Sequence, residues 1–396
     1  MVIGLSIMSF AMPDAALGTA WPFIREDMGL PLEAAGILPI IHSVFFVLIC
    51  ILNGRIAKYI SMEKRNLLGL FMISASFFIF SSAPNFIVLV VIMAFVGCSS
   101  SLINNGITEF CAGNLTSRQY NWTACFFGLG ASLSPVIITQ MILISSWRQG
   151  YVIIAGFQGF VALLMLLSIK MGVWPSPKKA PSVTENESEK TAEFAESDES
   201  SEPAGGFISA KRYQILNMLI FFLYVGMEIA TVLWVVSVLI ESRGLDIAAA
   251  GLFPTVYFAC LMTGRLLFGF FAKWAGNMTI LRMAIALTVA GFTLLTFTNS
   301  IIGIAVCGLG HAPMFPVLMH ETPRRFGKQV LSKLVGFQLA AGSAGAAIIS
   351  YAVGLILTNI SPEALFPFMI SVSLIVFIIN EIVARSLRRV RASQST

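Results

Sequence analysis

The chain has 396 residues, of which 57% are hydrophobic and only 11% charged, with a formal net charge of +5 and a mean hydropathy of +0.85. A soluble protein carries about 25% charged and about 45–50% apolar residues, so a soluble enzyme and a disordered scaffold are both excluded. The apolar runs are unbroken and of helical length, which excludes a porin-type barrel of alternating strands. The positive charge sits in short segments between those runs, a mark of membrane topology and not of a nucleic-acid face.

A spanning helix needs about 20 mostly apolar residues. Twelve such runs are predicted in chain order, near 2–21, 34–53, 66–83, 86–112, 121–145, 151–171, 213–239, 248–268, 280–298, 301–319, 334–357 and 365–384. This predicts an all-α, polytopic membrane protein of twelve transmembrane helices. The first run lacks a basic head, contains Asp14 and shows no small-residue cleavage pattern, so a retained helix is expected in place of a signal peptide. Pro13, Pro135, Pro254 and Pro316 interrupt runs, which membrane helices tolerate when neighbours re-satisfy the freed backbone groups. Trp21, Trp147 and Trp234 are predicted as interface anchors. The six cysteines lie inside apolar segments with no CxxC pair, so neither a disulfide framework nor a metal site is indicated, and no cofactor is expected.

Between the sixth and seventh runs, SPKKAPSVTENESEKTAEFAESDESSEPAGG is polar, acidic and rich in Ser, Glu and Pro. It cannot bury enough apolar surface to fold alone and is predicted as a disordered tether. The organisation expected is a six-helix half over 1–171, a cytoplasmic linker over 172–211, a second half over 212–385 and a basic tail over 386–396. Alternate loops hold the cations: Arg55, Lys58, Lys64 and Arg65, then Arg118, the linker lysines, Lys273 and Arg282, Arg324, Arg325 and Lys328, and the tail arginines. The opposite loops hold only Arg25, Arg148 and Arg243. The positive-inside rule then places both termini and the linker in the cytoplasm of a cell that carries the chain in its inner membrane.

An internal repeat supports the two halves. GLPLEAAGILP (Gly29–Pro39) and GLDIAAAGLFP (Gly244–Pro254) match at six of eleven positions, and 15 residues after each final proline come GRIAKY from Gly54 and GFFAKW from Gly269. The offset is 215 residues throughout. Parallel homologous halves of this kind build major facilitator transporters. The two basic loops resemble the Gly-x-x-x-Asp-Arg signature of that superfamily in Gly54 and Gly269, with Lys58 and Lys273 where the signature has Asp. These four are predicted to gate or to set topology.

Charges inside spans cost about 2.5–3.5 kcal/mol near a helix centre and are functional by default. Asp14 in span 1, Glu109 in span 4, Glu228 in span 7 and Arg265 in span 8 are the cases. Asp14 lies 15 residues before Gly29 and Glu228 lies 16 before Gly244, so the two acids share nearly one depth in the paired halves. They are candidates for proton coupling and solute binding, with a structural hydrogen bond as the alternative. Arg265 is expected as a salt-bridged structural residue. His42 and His311 are intramembrane, either proton relays or hydrogen-bonded core groups. Asn104, Asn105, Thr108, Gln158 and Gln338 sit at cavity depth and offer hydroxyl-binding groups, or polar links between helices. No phosphate loop, metal cluster or nucleophile constellation is present, so enzyme chemistry has no support.

Several stretches resemble the fucose–galactose–glucose:proton symporter branch of the superfamily: DAALGTAWPFIR from Asp14, NWTACFFGLGASLSP from Asn121, YVGMEIA from Tyr224, ESRG from Glu241, GRLLFG from Gly264 and APMFPV from Ala312. The resemblance implies uptake of a sugar-like solute with a proton, a coupling carboxylate at Asp14 and a cavity acid at Glu228. The chain departs from the branch at Asn104 and Thr108, where relatives carry Asp and Asn, and at Thr123, where they often carry His. The alternatives are a proton antiporter exporting drugs or metabolites, to which the 32 Phe and 18 Met are suited, and a transporter-shaped receptor without flux.

Overall fold

The computed structural model describes residues 2–114, 117–172, 174, 207–208, 210–271, 275–326 and 331–394; within helices, the side chains at 14, 112–114, 117–124, 268–271, 331–333, 391 and 393–394 are outside that description. Six long helices come first: α1 (Val2–Met28), α2 (Ile37–Ile56), α3 (Met62–Ser81), α4 (Phe86–Asn114), α5 (Ser117–Ile144) and α6 (Trp147–Lys170). Six more follow: α7 (Lys211–Glu241), α8 (Leu252–Phe271), α9 (Asn277–Phe297), α10 (Ile301–Phe326), α11 (Leu331–Asn359) and α12 (Leu365–Gln394). The acidic segment expected as a tether, 176–206, lies outside the described residues. Eleven of the twelve are long and apolar enough to cross a membrane. The remaining one, α3, opens on Glu63, Lys64 and Arg65 before its apolar stretch.

The twelve helices form two six-helix halves with one packing plan. In the first half α1 lies on α5, α2 on α4, and α3 on α4 and α6; in the second, α7 lies on α11, α8 on α10, and α9 on α10 and α12. Every pairing recurs six helices later. The turn after α1 and the turn after α7 also repeat: Gly29 and Gly244 both adopt positive φ, 62° and 66°, a region open to glycine but strained for other residues. These are the first residues of the two matching eleven-residue stretches.

The halves meet along α1 with α7, α5 with α8, and α2 with α11. In lipid no hydrophobic force joins helices, so close approach relies on small residues. At Gly18 of α1 an added Cβ would stand 2.3 Å from the Val232 carbonyl oxygen of α7. The helix ends far from the termini are also tied by side chains. Arg25 pairs with Glu241, and Glu33 accepts a hydrogen bond from Thr358 at 2.7 Å. This distal end is closed. The turn before α2 packs on α11 there, Gly36 against Tyr351 and Glu33 against Gly354, and toward the termini Ile51 and Phe337 stand 75% and 56% exposed.

Several helices outrun their apolar runs. α1 continues past Trp21 to Met28, where Asp27 pairs with Arg148 at 2.9 Å. α10 continues past 319 through Glu321, Arg324 and Arg325. α12 does not end near 384 but carries the basic tail as helix to Gln394, with Val383 and Leu387 buried and Glu381 bonded to Arg282 of α9 at 2.7 Å. Trp21, Trp147 and Trp234 are not interface anchors: they are 0%, 4% and 0% exposed. The indoles of Trp21 and Trp234 spend their N–H groups on the carbonyls of Leu32 and Ser350, and Trp147 packs on Phe80 and Tyr151, which makes full burial tolerable.

Candidate functional site

α7 places Tyr224 and Glu228 one turn apart on a single face. Both are buried, Glu228 at 8% exposure. α8 contributes Tyr257 and, two turns on, Arg265. α10 contributes His311, the last residue of its first segment Ile301–His311. Pro313 has no N–H with which to continue the ladder, and the helix restarts at Met314. At this break the Tyr224 hydroxyl donates to the His311 carbonyl at 3.4 Å. The Tyr257 hydroxyl lies 2.6 Å from His311 Nδ1, and the Phe292 ring stands edge-on to the imidazole at 6.0 Å.

The Arg265 guanidinium and the Glu228 carboxylate lie within electrostatic reach of each other, and both lie within reach of the Tyr224 hydroxyl. Arg265 Nε and His311 Nε2 are buried with no hydrogen-bond partner among the described residues. Arg265 also lies within the electrostatic reach of Cys125 on α5, and Met262, one turn before it, packs on Gly128 of α5. The cluster therefore belongs to the second half and sits on its seam with the first. A carboxylate, a guanidinium, an imidazole and two phenols gathered in a membrane interior can bind a polar solute and hold or release a proton.

Of the residues singled out in the sequence, Glu228, Arg265 and His311 come together here. Asp14 is within α1, and its side chain lies outside the described residues. Glu109 forms an ion pair with Arg65 of α3, which also donates to Asn53 of α2. Asn105 donates to Ser101 at 3.3 Å on its own helix and contacts Cys50 of α2, and Asn104 beside it is half-buried. Gln158 donates to the Ser9 carbonyl at 3.2 Å and Gln338 to Thr322 at 3.0 Å, so each links two helices. His42 is half-buried and stacks on Phe46 at 6.0 Å. Gly54 lies in the last turn of α2, Lys58 is exposed just beyond it, Gly269 lies near the end of α8, and Lys273 is outside the described residues.

Tyr257 and Arg325 did not emerge from the sequence as site or network residues. Arg325, 1% exposed, is held by Asn217 of α7 at 3.2 Å and Asn380 of α12 at 2.8 Å. Its position in a polar run after an apolar one was the available signal. Tyr257 had none, because a tyrosine in an apolar helix looks like core.

Two six-helix halves enclosing buried charges at their seam define a secondary-transporter architecture. The Major Facilitator Superfamily model matches residues 3–326 and 216–395, and the chain belongs to that superfamily. It is 22% identical over 372 residues to Bypass of stop codon protein 6 of Saccharomyces cerevisiae, covering 88% of this chain and 74% of that protein. It is 23% identical over 287 residues to the probable sulfoacetate transporter SauU of Cupriavidus necator, covering 68% of this chain and 64% of that protein. Among solved structures, a peptide transporter POT in complex with sulfate shares the fold with TM-score 0.76 at 11% identity, over 98% of this chain and 95% of that one. The transporter FucP in its outward conformation does so with TM-score 0.60 at 14% identity, over 96% and 97%. The protein is a multi-pass membrane transporter of this superfamily.

Proposed function

We propose that the chain takes up a small, hydroxylated, sugar-like solute together with a proton, by alternating access about a site between the halves. Both termini face the cytoplasm in this reading, since the basic loops fall on their side of the membrane. The observation that carries it is the Glu228–Tyr224–Arg265 cluster, its acid and phenol buried, beside a closed distal end. Such a cluster gives a proton and a polar solute a shared place to bind, and the closed end makes that place reachable from one side only. Asp14 joins Glu228 as a proposed proton carrier on its position in α1, nearly equivalent in the repeat. The name of the C. necator relative, a probable sulfoacetate transporter, supports transport of a small polar organic solute. Uptake of labelled sugars and sugar acids into proteoliposomes with an imposed pH gradient tests the reading. Accumulation driven by inward proton flow is expected; extrusion would identify an efflux antiporter, and binding without flux a receptor.

A further inference from the structure

We propose that the transported solute is an organic monoanion whose negative charge docks on Arg265 in exchange for Glu228. The proposal rests on the transporter reading above and names the substrate class of the same site.

The buried arginines differ in how fully they are occupied. Arg65 and Arg325 are each 1% exposed, and both terminal nitrogens of each are bonded to acceptors, Asn53 and Glu109 for the first and Asn217 and Asn380 for the second, although Arg65 Nε, like that of Arg265, has no partner among the described residues. Arg265 is only half-buried and lies on the seam between halves. It lies within electrostatic reach of Glu228 without a direct ion pair, and its Nε has no hydrogen-bond partner among the described residues. A guanidinium presents five N–H donors in a planar fork that matches a carboxylate in two parallel bonds. The unfilled edge of that fork is where a solute carboxylate fits. The hydroxyls of Tyr224 and Tyr257 lie in the same cluster, both against His311.

The charges balance. Before binding, Arg265 and Glu228 neutralise one another. When the anion pairs with Arg265, Glu228 is left buried without its counter-charge, a costly state in a membrane interior. Uptake of one proton onto a Glu228 carboxylate oxygen restores neutrality, and loss of that proton to water accompanies release of the anion. The groups within reach of Glu228 are Tyr224 on its own helix and Arg265 and Tyr257 from α8; behind them, His311 and Cys307 of α10 lie against Tyr257. α11 and α12 bring Gly345, Ile349 and Ser373 against this stretch of α7, and none of these titrates. α1 also packs on α7 and carries Asp14, whose side chain lies outside the described residues.

The test is equilibrium binding to the full-length protein at pH 6, 7 and 8, with D-gluconate, D-galactonate and L-lactate set against D-glucose and D-galactose, followed by pH-gradient-driven uptake of the same probes. We expect an anion to bind and accumulate, with Kd rising about tenfold per pH unit for one linked proton. Glu228→Gln should still bind the anion, with that pH dependence gone. Arg265→Lys, which keeps the charge but loses the fork, should weaken binding by about tenfold or more, with folding checked by thermal melting. Accumulation of the hexoses while no anion binds would overturn the monoanion assignment and leave proton-coupled transport standing. A Glu228→Gln pH profile parallel to that of the parent would overturn the exchange. No accumulation of any probe would overturn both readings.

Discussion

Gly18→Ala is the smallest change that tests whether the distal end must open and close. The added methyl would meet the Val232 carbonyl oxygen at 2.3 Å and the Leu233 Cα and carbonyl oxygen at 2.8 and 2.9 Å. All three are backbone atoms of α7, so no side chain can swing aside. Ordinary contact begins near 3.4 Å, which leaves α1 and α7 about 1 Å too close. Overpacking of this kind costs about 1–3 kcal/mol, borne only by the orientation in which the distal ends touch. The equilibrium between orientations should therefore shift about 5- to 150-fold toward distal-open. The better helix propensity of Ala acts equally in both orientations and drops out. The assay is the distribution of distances between spin labels at Ser82 and Asn359, exposed distal positions in opposite halves, on a background without the native cysteines. Gly156→Ala is the control, because nothing lies within 4 Å of a Cβ there. A Gly18→Ala distribution that overlays the control would refute the reasoning.

The Arg25–Glu241 pair is 28% exposed on each side, so it contributes about 0.2–1 kcal/mol to closure. Arg25→Glu should shift the same distance distribution by up to about fivefold, the swap with Glu241→Arg should restore it, and failure of that rescue would deny the latch. Tyr257→Phe removes the hydroxyl 2.6 Å from His311 Nδ1 and leaves the ring without that partner, at about 1–3 kcal/mol; an unchanged melting temperature in detergent would contradict this. Deleting residues 180–204 should leave transport near normal, since their composition supports no core, and lost folding would show structure in that segment.

The architecture was legible because lipid leaves so few solutions. Twelve apolar runs, a 215-residue repeat and one-sided loop charge lead to two six-helix halves with little ambiguity. Helix ends were less legible. Hydropathy falls at Trp21, near 319 and near 384, yet α1, α10 and α12 run on, because Arg25, Asp27, Arg325 and Glu381 find partners on neighbouring helices. Those partners are 216, 121, 55 and 99 residues away, beyond the reach of any local pattern. The site was half legible. Glu228, Arg265 and His311 stood out as costly groups in apolar helices, whereas Gln158 and Gln338, chosen on the same grounds, each join two helices. Depth along a helix was readable; the face each residue turns to was not. Glu109 shows the limit, since its partner Arg65 reads as a loop residue in the sequence, whereas α3 begins at Met62.

Coupled movement of solute and proton is the central claim, and external pH is its most direct measure. Weakly buffered proteoliposomes with the protein inserted should make the outer medium more alkaline when the best-bound member of the sugar and sugar-acid panel is added outside. The signal should vanish when a proton ionophore is present, while labelled solute still equilibrates. Solute entry at the same rate with no movement of protons would contradict the account.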